Sequence, residues 1–273
     1  MSILRLLGHK RREYGWAPRP GKPRYGYSQP PHPELQRRIE SGYDLYRRRL
    51  AATEGRFAED LAAIPIDGPP GGLAWNNDFL APLDLALLYT IVRESEPANY
   101  LEIGSGISTL VVRKAIEDGA LRTKVTAVDP KPRVEIERAC DSLIREPFDR
   151  VENLPTLGSG DIVFLDGIHR VGTASDVTVF FLEVLPRLAP GVLVQIHDIH
   201  LPNDYPAELV ERNYSEQYML AAVLLAAGSK YLIEFPAFHV THSGLVDLGI
   251  EPWRRLAAAG LAIHGESFWF RVQ

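Results

Sequence analysis

The sequence predicts an α/β fold built on a doubly wound, mostly parallel sheet. From Tyr100 onward, short apolar runs of strand length alternate with helical stretches, and this alternation is typical of parallel strands joined by helices. The runs at 161–166 (DIVFLD) and 191–198 (GVLVQIHD) are apolar almost throughout, which indicates strands buried on both faces. The chain has 273 residues, enough for one large domain with an extension.

The N-terminal region, residues 1–70, is predicted to form a basic arm and a helix ahead of a main domain over 71–273. Residues 15–33 contain six prolines and three glycines, a density that disfavours regular structure and indicates an extended arm. From Pro33 to about Ala62, apolar residues recur every three to four positions, as they do on one face of a helix.

Helices and strands alternate through the main domain, beginning with a predicted helix at Pro82–Arg93. Strands are expected over 100–104, 124–129, 161–166, 191–198, 231–235 and 267–272, and helices over 108–116, 131–145, 175–188 and 215–228. Ser175 is the predicted N-cap of the third of these helices. Gly228 is the predicted stop of the fourth.

Composition and charge exclude several classes of protein. A net charge of −5 gives no reason to expect a nucleic-acid partner. The single cysteine, Cys140, excludes an internal disulfide and a zinc cluster made of cysteines. Because no apolar window approaches the ~20 residues that span a bilayer, we expect no membrane partner and a cytoplasmic location.

The N-terminal fifty residues carry twelve Lys or Arg against four acids. A basic arm of this kind could dock on its own acidic body or on a second subunit, which would make a homo-oligomer. The alternative is a surface that attracts an anionic substrate or a membrane.

The segment YLEIGSGIST (100–109) has the pattern of a strand, a tight glycine turn and a helix. Gly104 permits the turn, and Gly106 lets a ligand approach the backbone without a Cβ in the way. The helix that begins near Ser108 offers unpaired N–H groups. Glu102 lies near the end of the strand, and the next strand ends at Asp129, whose carboxylate could accept both hydroxyls of a ribose.

Two cofactors compete for this turn. A nicotinamide dinucleotide would share Asp129, but its turn prefers Gly or Ala where this chain has Thr109. An acid at Glu102 would also repel a pyrophosphate. S-adenosylmethionine has an ammonium group and no phosphate, so an acid at the turn suits it. No GxxxxGK[ST] motif occurs, which excludes a P-loop. A glycine turn without any ligand remains an alternative.

Polar residues follow two of the predicted strands, at Asp166 with His169 and at His197 with Asp198. Ligands of open α/β sheets bind outside the carboxyl ends of the strands. If these two strands are neighbours, their axes lie ~4.8 Å apart. The carboxylates of Asp166 and Asp198 could then converge on one ion or one proton, and His169 could reach back over the same edge.

Two chemistries fit these four residues. Asp166 and Asp198 could hold Mg²⁺, which would lower the pKa of a substrate hydroxyl. Alternatively, His169 or His197 is the general base, and Asp166 or Asp198 orients its imidazole. The structural alternative is that His197 is an ordinary strand-end histidine and Asp198 forms a turn. Weaker candidates for an acceptor pocket are Trp75, Tyr205, Tyr214 and Glu216.

The ordered motifs ExGxGxST (102–109), VDP (128–130), DxVFxDGxH (161–169) and GVxVxxHD (191–198) resemble those of class I S-adenosylmethionine-dependent methyltransferases. Within that family they are similar to the small-molecule O-methyltransferase branch that includes cephalosporin- and macrolide-modifying enzymes. The resemblance covers about residues 98–235. In addition, WNNDF (75–79) and YSEQY (214–218) resemble segments of uncharacterised bacterial relatives of that branch.

The resemblance implies a Rossmann-like, doubly wound, seven-stranded sheet with an antiparallel last strand, for which 267–272 is suitable. It also implies that Glu102, Gly104, Gly106 and Asp129 carry the cofactor. Ser108, at the helix start, and Asp166, at the neighbouring strand end, are expected to join them.

At the other site, the resemblance places metal-binding carboxylates at Asp166 and Asp198. His197 stands where those relatives supply a further acid or amide, and a nitrogen ligand would suit a transition metal better.

The sequence therefore predicts a methyltransferase that moves the methyl group of S-adenosylmethionine to a small-molecule oxygen, such as a sugar or polyketide-like hydroxyl. The first alternative is an NAD-linked oxidoreductase. The second is a non-catalytic, cofactor-binding scaffold subunit that uses the basic arm to hold a partner.

Overall fold

The computed structural model describes residues 22–273, and a seven-stranded sheet runs through its centre in the order β3-β2-β1-β4-β5-β7-β6. The strands are β1 (Asn99–Ile103), β2 (Lys124–Val128), β3 (Ser142–Ile144), β4 (Ile162–Leu165), β5 (Leu193–Ile196), β6 (Tyr231–Pro236) and β7 (Phe268–Val272). Strands β1 to β5 pair in parallel. Strand β7 is antiparallel to both β5 and β6. The predicted fold class is confirmed.

Helices cover both faces of this sheet. They are α1 (Pro33–Glu40), α2 (Tyr43–Ala51), α3 (Ala58–Ala62), α4 (Pro82–Ser95), α5 (Ile107–Asp118), α6 (Asp176–Val179), α7 (Ala207–Glu211), α8 (Glu216–Ala226), α9 (Ala237–His242) and α10 (Trp253–Ala258). Short π-helical turns follow α2 and α6, over Ala52–Arg56 and Phe180–Val184. Within the described residues, no helix has the length and apolarity that crossing a membrane requires.

The central strand β4 and its neighbour β5 place their carboxyl ends side by side. All residues of β4 (IVFL) and β5 (LVQI) are buried, as expected for strands covered on both faces. The two strands pair directly, with Leu165 opposite Ile196. The residues that follow them, from Asp166 and from His197 onward, therefore emerge at one edge of the sheet.

The helical part of the N-terminal region packs on the sheet. Leu35, Ile39, Tyr46 and Leu50 are buried in the same hydrophobic core as the strands. The predicted arm is described from residue 22 onward; residues 1–21, and any subunit contact they make, lie outside the described residues.

The predicted helix at 131–145 is wrong, because this stretch is a loop that ends in β3. Its apolar residues Ile136 and Ala139 are buried in a small separate cluster beside β2, so helical spacing arose without a helix. The carboxylate of Asp141 accepts the backbone N–H of Val125 at 2.8 Å, which fixes the loop on the edge of β2.

The predicted helix at 175–188 is shorter and less regular than expected. Ser175 is its N-cap, as predicted, and accepts the N–H of Thr178. The α-helical turn is only four residues long; a π-helical turn and a 3₁₀ turn that contains Pro186 complete the segment.

Candidate functional site

A cavity of about 730 Å³ lies along the carboxyl edge of the sheet. The loops that follow β1, β2, β4 and β5 all contribute to its wall, through Gly104, Asp129, Asp166 and Asp198 among others. Pockets of this size at this edge of an open α/β sheet are the usual place for a ligand. The structure therefore brings the two groups of candidate residues from the sequence into one cavity.

The two glycines of the turn after β1 have different roles. Gly104 has φ +80°, and a Cβ there would overlap the carbonyl oxygen of Asp166. Only glycine fits at this position, because the turn passes directly against the end of β4. A Cβ on Gly106 would meet no atom within 4 Å. Glycine at that position keeps the wall of the cavity open.

Glu102 lies beneath the turn and is not among the residues that line the cavity. Its side chain is completely buried. It accepts hydrogen bonds from the hydroxyls of Thr109 and, at 3.3 Å, Tyr100. Burial raises the pKa of Glu102 to about 7. Since the Thr109 hydroxyl also accepts the N–H of Gly106 at 3.1 Å, this acid organises the turn and the start of α5 from below.

Asp129 lines the cavity beside the turn, and Ser105 holds it in place. One carboxylate oxygen accepts the backbone N–H of Ser105 at 3.0 Å and the Ser105 hydroxyl at 2.8 Å. The other oxygen accepts the N–H of Lys131 at 2.7 Å. A carboxylate has lone pairs for about four hydrogen bonds, so Asp129 keeps capacity for a ligand. Ser108 also lines this end of the cavity, whereas Ser105 was not singled out from the sequence.

Asp166, His169 and Asp198 converge at the other end of the cavity. The Nε2 atom of His169 lies 3.3 Å from Oδ1 of Asp166 and 3.3 Å from Oδ2 of Asp198. One ligand atom from each residue lies within 4.8 Å of the others. His169 and Asp198 both adopt left-handed backbone conformations, with φ 57° and 55°. Non-glycine residues in this region carry strain that often marks functional sites.

A buried carboxylate, Glu216, anchors the ring of His169. Its Oε2 lies 2.9 Å from Nδ1 of the imidazole, and its side chain is completely buried at the start of α8. Tyr214 stacks on the same ring at a centroid distance of 4.5 Å. Glu216 and Tyr214, only weak candidates from the sequence, are thus the immediate support of His169. Two others, Trp75 and Tyr205, are buried outside the cavity lining.

His197 lies between two carboxylates. Its Nδ1 is 3.0 Å from Oδ1 of Asp198, and its Nε2 is 3.4 Å from Oδ2 of Asp84 on α4. Asp84 is completely buried and also accepts the backbone N–H groups of Glu266 at 2.7 Å and Ser267 at 2.9 Å. The sequence did not single out Asp84, which connects α4, β7 and the end of β5.

The charges of this end favour a bound cation. Burial alone would lower the pKa of His169, but Asp166 and Glu216 raise it well above its usual value. Burial likewise opposes protonation of His197, yet Asp166 and Asp198 raise its pKa. The two histidines in turn lower the pKa of Asp198 against the effect of burial. Among residues 22–273, neither Asp166 nor Asp198 has a Lys or Arg nitrogen within 4.0 Å.

The donor atoms at this end fit a divalent cation. Two carboxylates and one imidazole nitrogen face the same point, and the imidazole is backed by a further carboxylate, the arrangement usual for histidines that bind metals.

Residues 101–199 match the model of a protein family described as a methyltransferase domain. This segment runs from β1 to the end of β5 and contains the turn, Asp129 and the Asp166, His169 and Asp198 cluster. No curated protein matches the chain.

Several solved structures are similar to the chain at low identity. The O-methyltransferase TomG from Streptomyces achromogenes, involved in tomaymycin synthesis and solved with SAM, is 15% identical, covers 88% of this chain and 99% of its own, and has a TM-score of 0.42. The SAH-bound methyltransferase PaMTH1 from Podospora anserina is 14% identical, with coverages of 91% and 100% and a TM-score of 0.43. The Bacillus cereus O-methyltransferase in complex with SAH is 14% identical, with coverages of 86% and 96% and a TM-score of 0.41.

Proposed function

We propose that this chain, whose residues 101–199 match the model of a methyltransferase-domain family, moves the methyl group of S-adenosylmethionine to an oxygen of a small molecule. One observation carries the proposal. A single cavity joins a glycine turn and its ribose-binding acid to a cluster of carboxylates and imidazoles that suits a hydroxyl group. Donor and acceptor would therefore meet within one cavity, which supplies the alignment that methyl transfer needs.

The cofactor lies at the end formed by β1 and β2. Asp129 accepts the hydroxyls of the ribose with the capacity that Ser105 and Lys131 leave free. Gly106 leaves room for the cofactor against the backbone. Glu102 places negative charge beneath the turn, near the ammonium group of the methionine part, and acts through the turn because it does not line the cavity.

The acceptor hydroxyl lies at the end formed by β4 and β5. Burial opposes protonation of both imidazoles, but the neighbouring carboxylates raise their pKa, and the two histidines lower the pKa of Asp198, which makes it a weak base. A divalent cation bound at Asp166 and Asp198 would lower the pKa of a coordinated hydroxyl, whose proton could then pass to water in the open cavity. The hydroxyl oxygen would bond to the methyl carbon as the carbon–sulfur bond breaks, and S-adenosylhomocysteine would leave. Under this proposal Asp166 and Asp198 are ligands, His197 holds Asp198 in place, and neither histidine acts as the base.

The mouth of the cavity supports an acceptor with an apolar part. Phe79 and Ile168 line the cavity, yet they are 46% and 55% exposed. Large apolar side chains exposed beside a cavity often bind a ligand. A polyketide-like molecule, or a sugar attached to one, would place its hydroxyl near Asp198 and its apolar surface on these two side chains.

The alternative cofactor is disfavoured by the turn itself. Thr109 occupies the third turn position and bonds to the buried Glu102. A pyrophosphate would have to lie above that acid, at an electrostatic cost.

Isothermal titration tests the proposal. We expect S-adenosylmethionine and S-adenosylhomocysteine to bind at one site per chain and NAD not to bind. Asp129→Asn should weaken binding at least about ten-fold, the loss of roughly one charged hydrogen bond. The exposed Asp44→Asn on α2 is the matched control and should bind like the wild type. Absence of binding to either sulfur ligand would refute the proposal.

Transfer of labelled methyl groups separates an enzyme from a scaffold subunit. A panel of sugars, macrolides and catechols, incubated with methyl-labelled S-adenosylmethionine, should yield at least one labelled product. That labelling should depend on Asp198. A scaffold subunit would bind the cofactor and label nothing in the panel.

A further inference from the structure

We infer that the cation site at the acceptor end takes a nitrogen ligand, His169, that Glu216 is the positioning residue that presents it, and that the site therefore prefers a first-row transition-metal dication such as Mn²⁺ over Mg²⁺. The inference rests on the proposed function, in which Asp166 and Asp198 hold a cation. It changes the ligand set expected from the sequence, in which Asp166 and Asp198 were the ligands and His197 was the candidate for a nitrogen ligand.

The imidazole of His169 is directed at two carboxylates. His169 is only 5% exposed. Its Nε2 faces Asp166 and Asp198 at equal distances of 3.3 Å. The ring hydrogen bond of His169 is made by the other nitrogen, Nδ1. A nitrogen aimed between two carboxylates is satisfied either by a proton or by a cation that all three groups share.

Glu216 supports the ring of His169 from its other side. Because Glu216 is completely buried and lies 2.9 Å from Nδ1, it holds the proton on Nδ1 and turns the lone pair of Nε2 toward the carboxylates. Its other oxygen is buried and has no hydrogen-bond partner among the described residues. The carboxylate therefore serves His169 alone.

Backbone hydrogen bonds also fix His169, independently of its ring. The carbonyl oxygen of His169 accepts the N–H groups of Ser215 at 2.8 Å and Glu216 at 3.3 Å. His169 and Asp198 both have positive φ. The start of α8 thus holds the main chain and the side chain of the same residue, and the ligand position is set before any cation binds.

The two histidines, His169 and His197, have different roles at the site. Both nitrogens of His197 face carboxylates, at Asp198 and at Asp84. His197 therefore holds Asp198 and offers no lone pair to the cation. The ligand set is one imidazole nitrogen and two carboxylates. Mg²⁺ prefers an all-oxygen octahedron, whereas transition-metal dications accept imidazole readily.

Electron spin echo spectroscopy of bound Mn²⁺ detects a nitrogen ligand directly, through its ¹⁴N modulation. We expect this modulation in the wild type and in His197→Asn, and we expect its loss in His169→Asn. Titration of the wild type should show Mn²⁺ binding at least about ten-fold tighter than Mg²⁺. S-adenosylhomocysteine binding and a thermal unfolding curve check that each variant is folded.

Glu216→Gln tests the positioning role. Loss of an outer carboxylate behind a metal-binding histidine typically costs 10–100-fold in affinity, so we expect about that loss for Mn²⁺. Because Mg²⁺ would depend on the aspartates, its affinity should change less than about three-fold. The exposed Glu208→Gln on α7 is the matched control and should leave both affinities unchanged. An unchanged Mn²⁺ affinity in Glu216→Gln overturns the role of Glu216.

The remaining outcomes also decide the inference. No Mn²⁺ binding, no ¹⁴N modulation in the wild type, modulation that persists in His169→Asn, or equal affinity for Mg²⁺ and Mn²⁺ each overturns it. Methyl transfer by an enzyme whose bound Mn²⁺ shows oxygen ligands alone would refute the inference and leave the proposed function intact. A nitrogen-bound Mn²⁺ in a protein that binds no S-adenosylhomocysteine would do the reverse.

Discussion

The two ends of the cavity are built in different ways; one is the proposed cofactor end, beside β1 and β2, and the other is the proposed acceptor end, beside β4 and β5. At the cofactor end, the strand end, the turn and the start of α5 come from one stretch of ten residues, 100–109, and Asp129 after the neighbouring strand β2 completes them. At the acceptor end, His169, His197 and Asp198 depend on Glu216 and Asp84, which approach from distant helices. A local motif makes the first end, whereas tertiary packing of buried carboxylates makes the second.

Asp198→Asn is expected to have the largest effect on catalysis and so to separate the two ends most clearly. The change removes a ligand from the acceptor end, so kcat/KM for methyl transfer should fall on the order of 10³-fold, roughly 4 kcal/mol of transition-state stabilisation. S-adenosylhomocysteine affinity should stay within about three-fold, because the two ends bind separate groups. Steady-state kinetics and titration of the same preparation measure both. Equal losses in catalysis and cofactor binding would show that the ends are not separate.

Glu102→Gln tests the buried acid of the cofactor end through the pH dependence of stability. A carboxyl group whose folded pKa is raised to about 7 destabilises the fold once it is charged. The variant should match the wild type near pH 4.5, gain stability as pH rises toward 7, and level off above it. The full gain is on the order of 3 kcal/mol.

Urea unfolding of the Glu102→Gln variant and the wild type at pH 4.5 and pH 8 measures this difference. Cofactor affinity of the variant should fall, since the charge beneath the turn is lost. A constant stability difference across this pH range would contradict the raised pKa.

The two glycines of the turn form a matched pair. Gly104→Ala forces a Cβ into the carbonyl of Asp166 at positive φ, which should lower the free energy of unfolding by about 2 kcal/mol or more. Gly106→Ala meets open space, so its unfolding free energy should change by less than about 1 kcal/mol. Its cofactor affinity should nevertheless fall, because the methyl group occupies the ligand's side of the wall. Denaturant unfolding and titration distinguish the two, and equal stability losses would refute the assignment.

The smallest effect is expected at the mouth of the cavity. Ile168→Ala removes exposed apolar surface from the acceptor side, so KM for an apolar acceptor should rise about five-fold, or roughly 1 kcal/mol. Its kcat and its S-adenosylhomocysteine affinity should be unchanged. The exposed Leu248→Ala, away from the cavity lining, is the matched control. An unchanged KM would place the acceptor elsewhere.

The glycine turn and Asp129 could be singled out from the sequence because their signal is local. Gly104 and Gly106 have fixed spacing, and Asp129 follows the next strand, so a pattern of letters specifies their places. The parallel sheet could likewise be predicted from the apolar sequences of the buried strands β4 and β5. Strand β3 could not be predicted in this way. The apolar residues ahead of it, Ile136 and Ala139, have the spacing of a helix but are buried in a small cluster formed by a loop.

The support of the acceptor end could not be predicted in the same way. The sequence predicted that Asp166 and Asp198 lie at the ends of strands, and the pairing of β4 with β5 brings them together. Glu216 lies 47 positions after His169, and nothing in its local sequence distinguishes it from an ordinary first-turn acid. Asp84 reaches His197 only because α4 packs under the end of β5. Such contacts depend on how helices dock, which residue spacing does not encode.

A crystal structure with S-adenosylhomocysteine and Mn²⁺ would test the central claim, that one cavity holds the methyl donor at the turn and a cation at the acceptor end, most directly. We predict ribose hydroxyls on the carboxylate of Asp129, the sulfur directed toward the other end, and Mn²⁺ bound by Asp166, Asp198 and Nε2 of His169. A ligand bound outside this cavity, or one whose ribose does not contact Asp129, would contradict the account.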